Sequence, residues 1–136
     1  MAEIPADLNA ANAKLVEEFR AAGRRLEGRP LLLLTTTGRR TGRRYTNPMM
    51  YVRLDGRLLV IASAAGAEHD PDWYQNLVAD PAVTVEVDGA EYAATARPAP
   101  DRDPLFARIA EQYPFFADHQ RGTARTIPVV ELVSSA

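Results

Sequence analysis

Two Asp-Gly pairs, Asp55-Gly56 and Asp88-Gly89, constrain the fold of this chain more than any other feature of its sequence. Each pair stands between two short runs rich in apolar and β-branched residues. A two-residue hairpin turn of type I′ needs positive φ at both central positions, and Asp-Gly accepts this readily. The sequence therefore predicts two antiparallel hairpins. Their strands are expected at residues 49–54, 57–62, 82–87 and 90–97.

Further strands and helices flank these hairpins. Residues 31–36 and 127–133 have the length and composition of strands, and Pro128 indicates a strand start or an edge in the second. Helices are expected at residues 6–27, 70–80 (with Asp70 as N-cap and Pro71 at the first helical position) and 101–112, and a helical turn or loop at 115–120. Six strands joined mostly by hairpins predict an antiparallel α+β domain. Closely spaced strands of this kind tend to close into a barrel, which removes exposed edges.

The bulk composition bounds the class of protein. The chain has 136 residues, no cysteine, two histidines far apart in sequence and a net charge of −2. These features exclude disulfides and thiolate metal sites, argue against a zinc site, and argue against a nucleic-acid partner, for which a basic domain is typical. No signal peptide or spanning apolar run is visible, so a soluble cytoplasmic protein is the expectation.

The N-terminal region is expected to be a separate element. Apolar residues recur at helical spacing at Leu8, Leu15, Phe19, Ala22 and Leu26. Gly28 follows as a C-terminal stop, so residues 1–28 are predicted to hold an amphipathic helix, followed by a barrel domain over residues 29–136. Packing of this helix on the barrel is the simplest interpretation. The alternative is peripheral contact with the inner face of a membrane or with a partner. Both a monomer and a homodimer remain open.

An arginine-rich loop lies between the first two strands. Residues 34–48 read LTTTGRRTGRRYTNP and hold four of the sixteen Lys and Arg residues of the chain within six positions. The planar guanidinium suits phosphate and carboxylate groups, and the two glycines of the loop free backbone N–H groups for the same anion. The GK[ST] end of a P-loop is missing. A solvated loop and an anion-binding loop both fit this pattern.

Two other segments are candidates for a binding site. Residues 63–67 are all small and would let a flat ligand approach the backbone, or would form a plain turn. Aromatic side chains at Trp73 and over residues 113–119 are either core or ligand wall. A relay of Ser63, His119 and an aspartate is conceivable, but the G-x-S-x-G elbow of a hydrolase is absent.

Six segments taken together resemble the deazaflavin-dependent nitroreductase family. They read TTTGRRTG, TNP, IASAAGAEHDPDWYQNL, ADPAV, YPFF and ARTIPVVEL, in the order of the family, and the resemblance as a whole covers residues 31–133. The resemblance implies a split β-barrel of about six mostly antiparallel strands with flanking helices, similar to the FMN-binding split barrels. It also implies the deazaflavin coenzyme F420 as the cofactor.

The resemblance also implies a site for this coenzyme, residue by residue. The phosphate-binding segment corresponds to Arg39, Arg40 and Thr41, continued by Tyr45, Thr46, Asn47 and Pro48. The segment along the head group corresponds to Ile61, Ala62, Ser63 and Ala64, and the opposite side to Trp73 and Asn76. The expected catalytic side chains are Tyr113, Phe116, His119 and Ser63, with Phe116 over the deazaflavin or the substrate.

The implied function is an F420-dependent oxidoreductase. The reduced coenzyme would transfer a hydride to a small electron-poor acceptor (a quinone, an enone or a nitro compound), and a proton would follow from His119, Tyr113 or water. Two alternatives remain on the same fold. One is a carrier that holds F420 or a lipid-like ligand without turnover, and the other is a reductase that uses FMN.

Overall fold

Both Asp-Gly turns form as the sequence predicts. The φ angles are +54° at Asp55 and +75° at Gly56, and +52° at Asp88 and +80° at Gly89. Positive φ at two successive positions is the requirement of the type I′ turn, whose twist matches that of the strands on either side. The two hairpins are therefore built from local sequence.

The computed structural model describes residues 6–25, 28 and 30–135. The strands are β1 (Leu31–Thr37), β2 (Arg44–Leu54), β3 (Arg57–Ile61), β4 (Ala82–Val87), β5 (Ala90–Pro98) and β6 (Val129–Ser134). The helices are α1 (Ala6–Ala21), α2 (Asp72–Ala79), α3 (Arg102–Gln112) and α4 (Phe115–Arg121), and a 3₁₀ turn spans Ala64–Gly66.

The six strands close into a barrel in the order β1-β2-β3-β6-β5-β4, and each neighbouring pair is antiparallel. This confirms the predicted α+β class and the predicted barrel. Strand β2 begins at Arg44, five residues earlier than expected, because all of β1 pairs with it down to Thr37 opposite Arg44. Pro128 directly precedes β6, so its missing N–H removes no bond from that strand.

Antiparallel pairing sorts the connections to two ends of the barrel. The end of β1 lies beside the start of β2, and the end of β3 lies beside the start of β6, with Ile61 opposite Val129. We call this the loop end, because it carries residues 38–43 and 62–71. The two Asp-Gly turns lie at the opposite end, the hairpin end.

Two clusters of buried side chains form the core. Alternate residues of the strands fill the barrel interior, among them Leu34, Val60, Val85 and Val130, and Leu77 of α2 joins this cluster. The second cluster lies between the other face of β2, β3 and β6 and the helices α3 and α4. It includes Leu59, Val129, Phe106, Ile109 and Phe116. Helices α2 and α4 are thus attached to the barrel on which the candidate site is built.

Helix α1 ends earlier than the predicted boundary at residue 27. Gly23 has φ +77°, and the N–H groups of Gly23 and Arg24 donate to the carbonyls of Arg20 and Phe19. This is a Schellman arrangement, in which a left-handed glycine terminates the helix. Gly23 therefore has the role that the sequence assigned to Gly28. The predicted apolar positions 8 and 26 lie outside the side chains that the structure describes.

A buried carboxylate holds the end of α1 on the barrel. Glu86 of β4 is 1% exposed, and Arg20 binds it through two bonds, Nε to Oε1 at 2.9 Å and Nη2 to Oε2 at 2.8 Å. Arg24 Nε adds a bond to Oε1 at 3.0 Å. The hydrogen bonds from Arg20 are the main cause that lowers the pKa of Glu86. The domain boundary expected at residue 28 stays a prediction. Through these bonds α1 packs on the barrel, as in the simplest interpretation of its sequence. No helix among the described residues is long and apolar enough to span a bilayer.

Candidate functional site

Arg39 fastens the arginine-rich loop to helix α2. Its Nη1 donates to Asn76 Oδ1 at 2.8 Å, its backbone N–H to the same oxygen at 3.2 Å, and its Nη2 to Asp72 Oδ1 at 3.3 Å. Asn76 is buried and donates through Nδ2 to Thr36 Oγ1 at 3.3 Å. Arg39 and Asn76, which the resemblance places in the cofactor site, are therefore in direct contact and join the loop to the helix.

The loop has a defined shape. The ring of Tyr45 packs on Gly38, where a Cβ atom would lie 2.5 Å from Tyr45 Cε2. Thr41 Oγ1 lies 3.1 Å from the hydroxyl of Tyr45 and accepts the backbone N–H of Arg43 at 3.2 Å. Gly42 adopts φ +72°, which favours glycine. Thr41 and Tyr45 thus hold the shape of the loop through contacts within it, and a larger residue at 38 would disrupt it.

The four arginines of the loop differ in their partners. Arg44 donates to the hydroxyls of Thr37 and Thr84, both at 2.8 Å, on the outer face of the barrel. Arg40 and Arg43 are exposed, and within residues 6–25, 28 and 30–135 neither guanidinium has a hydrogen bond or an ion pair. Two cations with unused donors on a shaped loop are suited to an anion.

The first residues of β2 have different environments. Thr46 pairs with Thr35 across the strands, and their hydroxyl oxygens lie 2.8 Å apart on the outer face of the barrel. Asn47 and Pro48 are half-buried in the strand that follows the loop. The structure places all three next to the loop as predicted, and a cofactor contact for any of them remains a prediction.

The small-residue segment after β3 lies at the same end of the barrel. Ile61, Ala62 and Ser63 are buried, whereas Ala64 is exposed and has φ +45°. Gly66 has φ +81°, and a Cβ atom there would lie 2.9 Å from the carbonyl oxygen of His119. The segment therefore packs closely against α4, and glycine is needed for that approach.

Helix α2 begins differently from the prediction. Its N-cap is Pro71, and Asp70 gives no capping hydrogen bond. The carboxylate of Asp70 instead accepts a charge-assisted hydrogen bond from Nη1 of Arg125 at 2.8 Å. Trp73, in the first turn, is half-buried against the barrel cluster and meets Tyr74 edge to face at 6.4 Å.

The two adjacent phenylalanines of α4 differ in exposure. Phe116 is 5% exposed and packs in the second core cluster, and a contact of its ring with a ligand remains a prediction. The neighbouring ring of Phe115 is 42% exposed and lies 4.4 Å from it between centroids. Tyr113 is half-buried and contacts both rings edge to face. A helix beginning at 115 turns one of two adjacent phenylalanines inward, and the sequence alone does not show which.

His119 carries the one unpartnered buried polar side-chain atom among the described residues. Its Nδ1 has no hydrogen-bond partner there, and its ring lies 5.7 Å from that of Phe115. No hydrogen bond within the described residues joins it to Ser63, so the conceived relay is not assembled. No group of three or more metal-ligating side chains occurs in the same part of the chain.

A different concavity opens at the hairpin end, with a volume of about 250 Å³. Its arginines, Arg53 and Arg57, are already paired with Asp88, Asp101 and Glu131. A cavity whose cations are neutralised by the protein offers little to an anionic cofactor. The unpaired cations and the small-residue segment place the candidate site at the loop end.

Comparison with known proteins identifies the family. The family model described as F420H(2)-dependent quinone reductase matches residues 10–134. The chain belongs to this family. A curated F420H(2)-dependent quinone reductase of Mycobacterium tuberculosis is 37% identical over 119 residues, which cover 81% of this chain and 78% of that protein.

Solved structures agree with this assignment. An F420-H2 dependent reductase has 34% identity and a TM-score of 0.67, with 76% of this chain and 94% of that chain covered. A protein described as a domain-swapped dimer has 30% identity and a TM-score of 0.70, with 92% and 96% covered. The split-barrel fold, the oxidoreductase class and coenzyme F420 are confirmed. F420 as the family's cofactor leaves the FMN alternative without support.

The residues at the loop end fit this coenzyme. F420 combines a flat ring system with a tail that carries phosphate and carboxylate groups. Arg40 and Arg43 offer unused guanidinium donors for the tail, and the 61–64 segment offers short side chains beside the ring. The buried, unpartnered Nδ1 of His119 lies in a helix packed on the same segment. The donors present thus match the chemistry of the coenzyme.

Sequence reasoning missed Arg125. Its guanidinium binds Asp70 and three backbone carbonyls of the 62–67 segment. Its partners are at least 55 residues away in sequence and are mostly main-chain oxygens, which leave no residue pattern. No spacing in the sequence marks such an arginine.

Proposed function

We propose that this protein reduces quinones and related electron-poor acceptors, including enones and nitro compounds, with the reduced form of coenzyme F420. The observation that supports this most strongly is the bond between Arg39 and Asn76. It joins the cationic loop to the helix that carries Trp73, so the elements assigned to tail and ring lie beside each other. Menadione added to the purified protein with F420H2 should restore the visible absorbance of the oxidised coenzyme.

Each element has a separate role in holding the coenzyme. Arg40 and Arg43 would bind the phosphate and carboxylates directly, because neither guanidinium is paired with another of the described residues. Arg39 and Asn76 would set the position of the loop, since the guanidinium of Arg39 is already engaged. The 61–64 segment would lie along the ring system, where small side chains permit close approach of the backbone.

The chemistry of the acceptor needs little from the protein beyond orientation and a proton. When bound, F420H2 supplies the hydride. The chain contains no cysteine, and no hydrogen bond joins Ser63 to His119 in the part that the structure describes. Phe115 and Tyr113 would form the aromatic wall for a flat acceptor, in place of the buried Phe116. His119 would hold the proton that the reduced acceptor takes up.

Replacing His119 by glutamine should therefore lower kcat for menadione about tenfold, a modest loss because water can also deliver the proton. The affinity for F420 should remain that of the unmodified protein, because His119 is not among the groups proposed for the tail. His69→Gln is the matched control, since His69 is the only other histidine and is exposed. Equal kcat values for all three proteins would exclude His119 as the proton donor.

A further inference from the structure

Arg125 is a largely buried arginine in the connection between α4 and β6. Its side chain is only 13% exposed. Nε donates to the carbonyl of Ala67 at 2.8 Å, Nη2 to that of Ser63 at 2.7 Å, and Nη1 to that of Ala62 at 3.1 Å. Nη1 also donates to Asp70 Oδ1 at 2.8 Å. One guanidinium therefore binds four acceptors around the turn between β3 and α2.

The segment that Arg125 binds has few means of holding its own shape. Residues 62–67 are alanines, one serine and one glycine, so their side chains supply little packing. Ala64 has φ +45°, a left-handed value that costs an alanine free energy. A conformation of this kind persists only where the surroundings determine it. Arg125 supplies donors to the segment, and α4 packs against Gly66.

We propose that Arg125 is a positioning residue for the coenzyme: it fixes the 62–67 segment in the shape that receives the ring system of F420. This inference rests on the proposed function, in which the first part of that segment, residues 62–64, lies along the ring system of the coenzyme. Through Asp70 the same guanidinium also fixes the start of α2, and so the placement of Trp73. The planar fork is required, because an ammonium group is a single point and does not reach four acceptors spread around it.

The test compares Arg125→Lys with Arg57→Lys. Arg57 is the matched control, since it is also a partly buried arginine, 23% exposed, that binds several acceptors, the carboxylates of Asp101 and Glu131. It lies at the hairpin end and makes no hydrogen bond to the 62–67 segment. Hydrogen–deuterium exchange of the ligand-free proteins and titration with F420 are measured on each variant.

We expect Arg125→Lys to speed amide exchange in peptides covering residues 62–70. The Kd for F420 should rise about tenfold, because the segment loses the order that about one charge-assisted hydrogen bond supplies. Arg57→Lys should match the unmodified protein in both measurements. Unchanged exchange in residues 62–70, or an unchanged Kd, would overturn the positioning role. If the unmodified protein does not bind F420, both the proposed function and the role of Arg125 are overturned. If it binds F420 but Arg125→Lys changes neither exchange nor Kd, only the role of Arg125 is overturned.

A second variant covers the case in which Arg125→Lys does not fold. Gly66→Ala displaces the same segment from the α4 side, because its Cβ would meet the His119 carbonyl oxygen at 2.9 Å. With Arg125 intact, this variant should also raise the Kd for F420 about tenfold and speed exchange over residues 62–70. Wild-type affinity in a Gly66→Ala protein whose segment exchanges faster would show that the shape of the segment does not govern binding.

Discussion

Replacing Arg40 by alanine is expected to weaken F420 binding by about 2–3 kcal/mol, roughly 30-fold to 150-fold in Kd. Arg40 is exposed and its guanidinium has no partner within residues 6–25, 28 and 30–135, so its donors are available to the phosphate. Its removal leaves no buried group unpaired, and the melting temperature should stay within a degree or two. Titration calorimetry with F420 measures the change.

The matched control for this change is Arg108→Ala. Arg108 is also an exposed arginine, but it pairs with Asp55 at the hairpin end, far along the barrel from the loop. Its removal should leave the Kd unchanged. The loss of F420 affinity in Arg40→Ala should also become smaller as salt is added. Salt screens the attraction between Arg40 and the phosphate in the unmodified protein, so its own affinity falls toward that of the variant. Equal Kd values for Arg40→Ala and Arg108→Ala would remove Arg40 from the coenzyme site.

Arg39→Ala should behave differently from Arg40→Ala. The guanidinium of Arg39 bridges the loop to Asn76 and Asp72, so its loss loosens the loop and leaves the buried Asn76 Oδ1 with the backbone N–H of residue 39 as its remaining donor. Affinity and melting temperature should therefore fall together. The structure thus separates two arginines that the sequence treats as equivalent phosphate ligands.

Replacing Arg20 by methionine is the second large change, and it should destabilise the fold by about 2 kcal/mol at neutral pH. It removes the bidentate partner of Glu86, which is 1% exposed. Breaking a fully buried pair typically costs roughly 3–5 kcal/mol, and the figure here is lower because Arg24 remains and Arg20 itself is 45% exposed. The melting temperature should fall by roughly 8 °C.

The pH dependence gives this prediction a sign. Arg20 holds the pKa of Glu86 below its ordinary value, so the pair stabilises the fold above the pKa of the unfolded chain. That stabilisation is lost as the pH falls through the lowered pKa of the folded state. The difference in free energy of unfolding between the unmodified protein and Arg20→Met should therefore be largest at neutral pH and should decrease in acid.

Arg108→Met is the control for the loss of an arginine as such. Its pair with Asp55 is exposed at both partners, and pairs of that kind contribute little to stability. Chemical denaturation of the three proteins at several pH values measures the free energy of unfolding. Equal destabilisation by both substitutions, or a gap that does not depend on pH, would contradict the role assigned to the buried carboxylate.

The fold was largely predictable because its strongest signals are local. Asp55-Gly56 and Asp88-Gly89 determine two hairpins through backbone angles that few other residue pairs accept. Boundaries that depend on tertiary contacts were predicted less well. Strand β2 begins at Arg44 because β1 pairs along its whole length, and α1 ends at Gly23 although the more distant Gly28 is also a stop signal.

The segments that form the candidate site were predictable from the sequence, but the tertiary contacts that hold them in place were not. Residue type identified a cationic loop and a segment of small residues, and the resemblance joined them to one coenzyme. Which arginines are free depends on distant partners, such as Asn76 for Arg39. The inward turn of Phe116 depends on the docking of α4, and Arg125 acts on main-chain carbonyls, which have no sequence signature.

The central claim is that F420 binds at the loop end, between the arginine-rich loop, the 61–67 segment and α2. Trp73 is the only tryptophan of the chain and stands in the first turn of α2, so its fluorescence reports on this site alone. Titration with oxidised F420 should quench that fluorescence in a saturable, one-site manner, and Arg40→Ala should shift the curve to higher concentration. Binding of F420 by calorimetry with unaltered Trp73 fluorescence would place the coenzyme elsewhere and contradict this account.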